Sequence, residues 1–201
     1  MPRVEIPGFE RPRRRAQDLL RKTEGSAVLE FAIALPLLVV FVVGIFDFSG
    51  AFNQKQKLEH AAQLGAILAG AQPTSDIELA NANPDSLQPV VTVIFNSLAA
   101  DGVLPLANQG TCKTPVAASS NSLLTWNYQI SGCSSVSTDN LNIVINRGAT
   151  AGSGPVAVGT TVQVQFPYRW RFNSAIQLLF PGAGYAVVTT LTETATVHNQ
   201  M

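Results

Sequence analysis

Glu30 stands where a carboxylate is expensive. Its neighbours Leu29, Phe31 and Ile33 are apolar, and no charge follows from Phe31 to Phe46, FAIALPLLVVFVVGIF. At the edge of such a run an ionised carboxylate costs on the order of 2–3 kcal/mol on membrane-insertion scales, so it calls for a partner, headgroup water or a proton. Cys112 and Cys133 are the other reactive pair, both in Ser/Thr/Gly-rich surroundings, with no third cysteine. In an oxidising compartment they form a disulfide whose loop closure stabilises the fold by roughly 3 kcal/mol. Two unlinked buried thiols are the alternative, because spacing alone does not define a bridge.

Other candidates offer less. His60 and His198 are far apart in sequence, and neither HExxH nor a paired-cysteine metal motif occurs, so no metal site is expected. Gly148, Gly152 and Gly154 lack the Lys-Ser/Thr of a phosphate-binding loop, and there is no G-x-S-x-G elbow. Tyr168-Arg169-Trp170-Arg171 mixes cations with aromatics and could stack on a base or sugar. A strand end with snorkelling arginines explains it as well. No catalytic constellation and no cofactor emerge, and the expectation is a protein that is not an enzyme.

The elements that must position Glu30 follow from the charge distribution. Net charge is zero and 13% of residues are charged, which gives no footprint for nucleic acid. Arg3, Arg11, Arg13, Arg14, Arg15, Arg21 and Lys22 crowd the start of the chain, whereas residues 72–201 carry only ten charges. Ala27–Phe48, interrupted by Glu30 and Asp47, is long enough to cross a bilayer as a helix, and Pro36 is tolerated there. The positive-inside rule puts the N-terminus in the cytoplasm and residues 50–201 outside. A secretory signal cleaved near Ser49-Gly50-Ala51 is the competing account of the same run.

Gly25 lies five residues before Glu30, in RKTEG-SAVLEF, and this resembles the type IV prepilin processing signal. The resemblance implies cleavage by a prepilin peptidase between Gly25 and Ser26, leaving Glu30 as the fifth residue of the mature chain. The new ammonium group of a neighbouring subunit would then pair with Glu30 in low dielectric. GSAVLEFAIALPLLVVFVVGIFDF, followed by LEHAAQLGAILAG, is similar to the TadE-like family from Gly25 to about Gly70. One departure is Ile67, where the family commonly has arginine after the Gly-Ala pair. The resemblance implies a pseudopilin-like component of Tad/Flp pilus assembly in the bacterial inner membrane. Its partners would be the membrane, the peptidase and other pilin subunits, with Glu30 and Phe31 serving subunit assembly.

Beyond the span, Leu58, Ala61, Ala62, Gly65, Ala66 and Ala69 recur at helical spacing, and Pro73 ends the helix. Such a small-residue face lets backbones approach closely, either under a sheet of the same chain or against neighbouring subunits. Asp85 or Ser86 can cap a second helix with Leu87, Val90, Val91, Ile94 and Leu98 on one face and Gly102 as its stop. The β-branched run Val90–Phe95 leaves a strand as the alternative.

Alternation at Leu124–Ile130, Leu141–Ile145, Val156–Phe166 and Tyr185–Val197 predicts an antiparallel sheet with one covered face. Gly148–Pro155 reads as a connector and Asn173–Phe180 as a short helix. The expected architecture is α+β: a leader over 1–25, a transmembrane segment over 26–49, a helical extension over 50–72 and an extracytoplasmic domain over 73–201. A single-pass anchored binding module is the alternative function.

Overall fold

The computed structural model describes residues 24–76, 83–104, 111–115, 117–118, 120–122, 124–134, 140–151, 157–170, 172, 177, 182 and 188–200. One helix, α1 (Glu24–Ala71), forms a spine of 48 residues, about 70 Å at the α-helical rise, and continues through Pro36. Its two halves meet different surroundings. Between Val28 and Phe48 its large apolar side chains are exposed, whereas Leu58, Ala61, Ala62, Ala66 and Ala69 are fully buried. The small-residue face therefore packs within the chain, beneath a second helix and a sheet. At Gly65 the approach is so close that an added Cβ would lie 2.5 Å from Cδ1 of Ile94.

The spine's last carbonyls are capped from far along the chain. Arg147, 3% exposed, donates from Nη2 to the carbonyl of Gln72 at 2.9 Å and from Nη1 to that of Pro73 at 3.3 Å. The Gln200 N–H reaches the Gly70 carbonyl at 3.0 Å. These donors satisfy acceptors at and just beyond the helix end. Burial lowers the Arg147 pKa and nearby Asp76 partly restores it. Burial also pushes the Asp76 carboxyl upward, but the Ser86 backbone N–H at 2.8 Å and the Arg147 charge help hold it below its ordinary value.

The second helix, α2 (Gln88–Ala100), settles the Val90–Phe95 ambiguity in favour of helix. Asp85 and Ser86 do not cap it, contrary to expectation. Asp85–Leu87 forms a 3-10 turn, the N-cap position falls to Leu87 with no side-chain bond, and Asp76 takes the Ser86 N–H instead. Gly102 ends the helix in a left-handed conformation at φ +69°. Its N–H donates to Ala99 and the Val103 N–H to Leu98, a Schellman closure.

Five strands follow in a meander, each pairing antiparallel with the next: β1 (Ser120–Ser122), β2 (Thr125–Ile130), β3 (Leu141–Ala151), β4 (Ala157–Arg169) and β5 (Val188–His198). The register stacks Trp126, Ile145, Val162 and Ala195 in one row and Tyr128, Ile143, Val164 and Glu193 in the next. This face covers α1 and α2 and builds the core. Glu193, on the same face, pairs with Lys55 of α1 at 3.3 Å. The opposite face carries Asn127, Gln129, Asn142, Thr161, Gln163, Thr194 and Thr196.

The connector expected at Gly148–Pro155 is shorter than its composition suggests. β3 continues to Ala151, with a register shift between Asn146 and Ala149 that lets the glycine-containing stretch stay paired. The helix expected at Asn173–Phe180 lies outside the described residues apart from Gln177, and so do Val156, Tyr185 and Val187.

Three outcomes follow from this packing. Gly65→Ala adds a methyl group where Ile94 is fully buried and should lower stability by about 1–2 kcal/mol in a denaturant titration, despite alanine's better helix propensity. Arg147→Met strands two carbonyls and should cost about 2 kcal/mol. Asp76, depressed in the folded state, contributes stability above its unfolded pKa of about 3.9, and that stability is lost as pH falls through the lower folded value. Asp76→Asn should flatten that acid limb of the stability profile.

Candidate functional site

The residues singled out by sequence occupy three separate regions. Gly25, Ser26, Glu30 and Phe31 lie exposed at the start of α1. Ser26 Oγ donates to Oε1 of Glu30 at 3.0 Å, one turn along the helix, which leaves the second carboxylate oxygen without a described partner. An added Cβ at Gly25 would meet nothing within 4 Å.

Ala61, Ala62, Gly65, Ala66 and Ala69 are buried in the core, some 50 Å along the spine at its helical rise. Cys112 and Cys133 form a disulfide, both buried in the core. Beside it, Gly132 at φ +75° sits against Thr111, whose hydroxyl donates to the Gly132 carbonyl at 3.2 Å. His60 is exposed on α1, 4.0 Å from Asp101. Among the described residues no group of three or more His, Cys, Asp or Glu side chains could hold a metal ion.

The contact between the two halves of the spine was not recognised as a site from sequence. Asp47, at the end of the apolar run, is 6% exposed and faces the end of β4. Its Oδ2 accepts the Phe172 N–H at 2.6 Å. The Tyr168 hydroxyl sits 3.2 Å from Oδ1 and 3.0 Å from the Asp47 carbonyl, a shared donation. Two glycines make room for these partners. A Cβ at Gly50 would lie 2.7 Å from the Tyr168 hydroxyl, and one at Gly44 would touch the Phe172 ring at 4.0 Å. Gly44, Asp47 and Gly50 recur at three-residue spacing and so share one helical face, the signal that could have exposed the site.

Chemically this is a latch. A carboxylate bonded to a hydroxyl and a backbone N–H ties the lower end of β4 to α1 and sets the angle between spine and domain. Asp47→Ala removes both carboxylate acceptors, strands the Phe172 N–H, leaves the Tyr168 hydroxyl only the Asp47 backbone carbonyl, and should cost about 2 kcal/mol. The check is hydrogen exchange, with the Phe172 amide losing protection while Ile143 and Val164 in the core retain theirs.

Comparison with known proteins follows the same division. No curated protein and no solved structure matches the chain. The family of TadE-like proteins matches residues 25–66, from the glycine before Ser26 through the apolar run to the small-residue face. Over residues 25–66, therefore, this chain carries a TadE-like segment.

Proposed function

We propose that the chain is a membrane-anchored, pseudopilin-like structural component of Tad-type pilus assembly. One observation carries this: the half of α1 left exposed by the fold lies within the segment that matches TadE-like proteins. A helix bearing Phe31, Leu37, Phe41 and Ile45 outward is unsuited to water and suited to lipid or to packed neighbouring helices. The family points to pilus-assembly partners and to a structural role rather than turnover.

In this proposal residues 1–25 are a cytoplasmic leader removed by a prepilin peptidase, 26–49 cross the inner membrane once, 50–72 extend the spine and 73–201 form the outer domain. Cleavage after Gly25 gives Ser26 a free ammonium group at the helix start. Glu30, already holding the Ser26 hydroxyl on one oxygen, offers the other to the ammonium of an adjacent subunit. Phe31 packs beside that pair. Charge neutralisation in low dielectric is what recruits the subunit and fixes its axial stagger.

The decisive experiment is N-terminal sequencing of the protein purified from its native membrane. A chain beginning at Ser26 is the expected result. One beginning at Phe52 would indicate a cleaved secretory signal and end the proposal. An intact Met1 in cells with active prepilin peptidase would leave a plain anchor and favour a surface-binding module. Gly25→Ala adds no steric contact, so its expected block of processing reports on the peptidase rather than on folding. Glu30→Ala should be processed yet lost from the assembly, and retention of normal assembly by the Gly25→Ala, Glu30→Ala double variant would refute the mechanism.

A further inference from the structure

β4 descends along α1 in the opposite direction. Val162 lies near Gly65, the Tyr168 hydroxyl against Gly50 and the Phe172 ring against Gly44. Gly44 belongs to the uncharged run that ends at Phe46, so the lower end of β4 reaches down to the level of that run instead of stopping above it. This end of the outer domain is aromatic. Trp170 packs edge-on against Phe48 and Tyr168, with ring centroids 5.2 and 5.1 Å apart. Phe46, Phe48 and Phe52 of α1 are 74%, 67% and 62% exposed and lie within about 9 Å of one another along the helix axis.

The polar tips of the aromatic pair are already satisfied. The Trp170 indole N–H donates to Oγ1 of Thr189 at 2.7 Å, and the Tyr168 hydroxyl donates to Asp47. What remains outward is ring surface. An open cavity of about 1170 Å³ adjoins it, lined by Val43, Phe46 and Trp170 together with the cations Lys57 and Arg169. In sequence, residues 173–187, which join β4 to β5, contain no charged side chain.

Amphipathic aromatic rings with basic neighbours, at the end of an apolar helix, are the composition of a membrane–water boundary. A water-facing surface gains nothing from six rings gathered along about 12 Å of the helix axis, a span comparable to a headgroup layer. We propose that Tyr168, Trp170 and Phe172, with Phe46, Phe48 and Phe52, form a seat in the headgroup layer of the outer leaflet. The outer domain then rests on the bilayer at a fixed height instead of swinging above it. The Asp47 latch holds the seat in register with the span. This rests on the membrane-anchored reading of α1.

The test reads Trp170 in the full chain reconstituted into phosphatidylcholine vesicles. Trp126 is 1% exposed in the core, so subtracting the spectrum of Trp170→Phe isolates Trp170. Lipids brominated near the headgroup end of their acyl chains should quench most of that emission and mid-chain bromines less, with aqueous acrylamide quenching little. Alkaline carbonate extraction is run on the same vesicles. A chain that stays in the bilayer while Trp170 is quenched by acrylamide and not by brominated lipid overturns the seat and leaves the anchor standing. Shielding from both quenchers would mean that another protein copy covers the ring, which also overturns the seat. A chain that washes out of the bilayer overturns both.

Discussion

Everything in this molecule depends on one helix serving two environments. The fully buried residues in the upper half of α1 are alanines and Leu58, whereas those of its other half are mostly bulky, apolar and exposed. Small side chains bring the α1 backbone close to α2 and β4, so much of the core's dispersion energy comes from the partners' larger groups, Ile94 and Val162 among them. Most bulky side chains on the other half, Phe48 against Trp170 apart, are left exposed by the chain. The helix stays continuous between these regimes because its backbone hydrogen bonds are internal and indifferent to what lies outside.

A continuous rod does not by itself fix the domain's orientation about it. Two attachments at opposite ends do that. At the top, Arg147 and Gln200 hold the carbonyls that close α1. At the bottom, Asp47 holds the end of β4. Lys55 and Glu193 add a bridge between these points, and the buried face fills the interval. With both ends fixed, motion of the sheet domain is coupled to tilt of the exposed half of α1.

Much of the fold was legible because its signals are local. Alternation at Trp126–Ile130, Leu141–Ile145 and Val162–Phe166 named the inward residues, and Gly102 marked the end of α2. The small-residue stripe was legible as a packing face, though the choice between packing inside the chain and packing between subunits depends on tertiary contacts far away in sequence. The Asp85 or Ser86 cap expected for α2 failed because Asp85–Leu87 winds into a 3-10 turn that moves the N-cap position on to Leu87, which has no polar side chain. The latch was least legible for a physical reason: Asp47 and Tyr168 are separated by 121 residues, and a buried carboxylate in sequence looks the same as one that merely ends an apolar run. The spacing of Gly44, Asp47 and Gly50 is visible, but its meaning depends on which rings arrive there. Glu30 and Gly25 lie apart from all of this, in a region that contributes nothing to the core and whose reading rests on their family setting.

The meander has a consequence for the order in which the molecule can be completed. Each strand pairs with its immediate predecessor, so the hairpins are local and form quickly once their residues are free. The helix they must cover is synthesised first, and the strand that completes its cover, β5, is synthesised last. Until Val188–His198 joins, β4 has an open edge and part of the alanine face of α1 is bare. Folding therefore ends with a long-range closure in which the last strand meets the first helix. An incomplete chain is marked by an unpaired sheet edge and an uncovered helix, features that quality-control proteases and chaperones recognise in general.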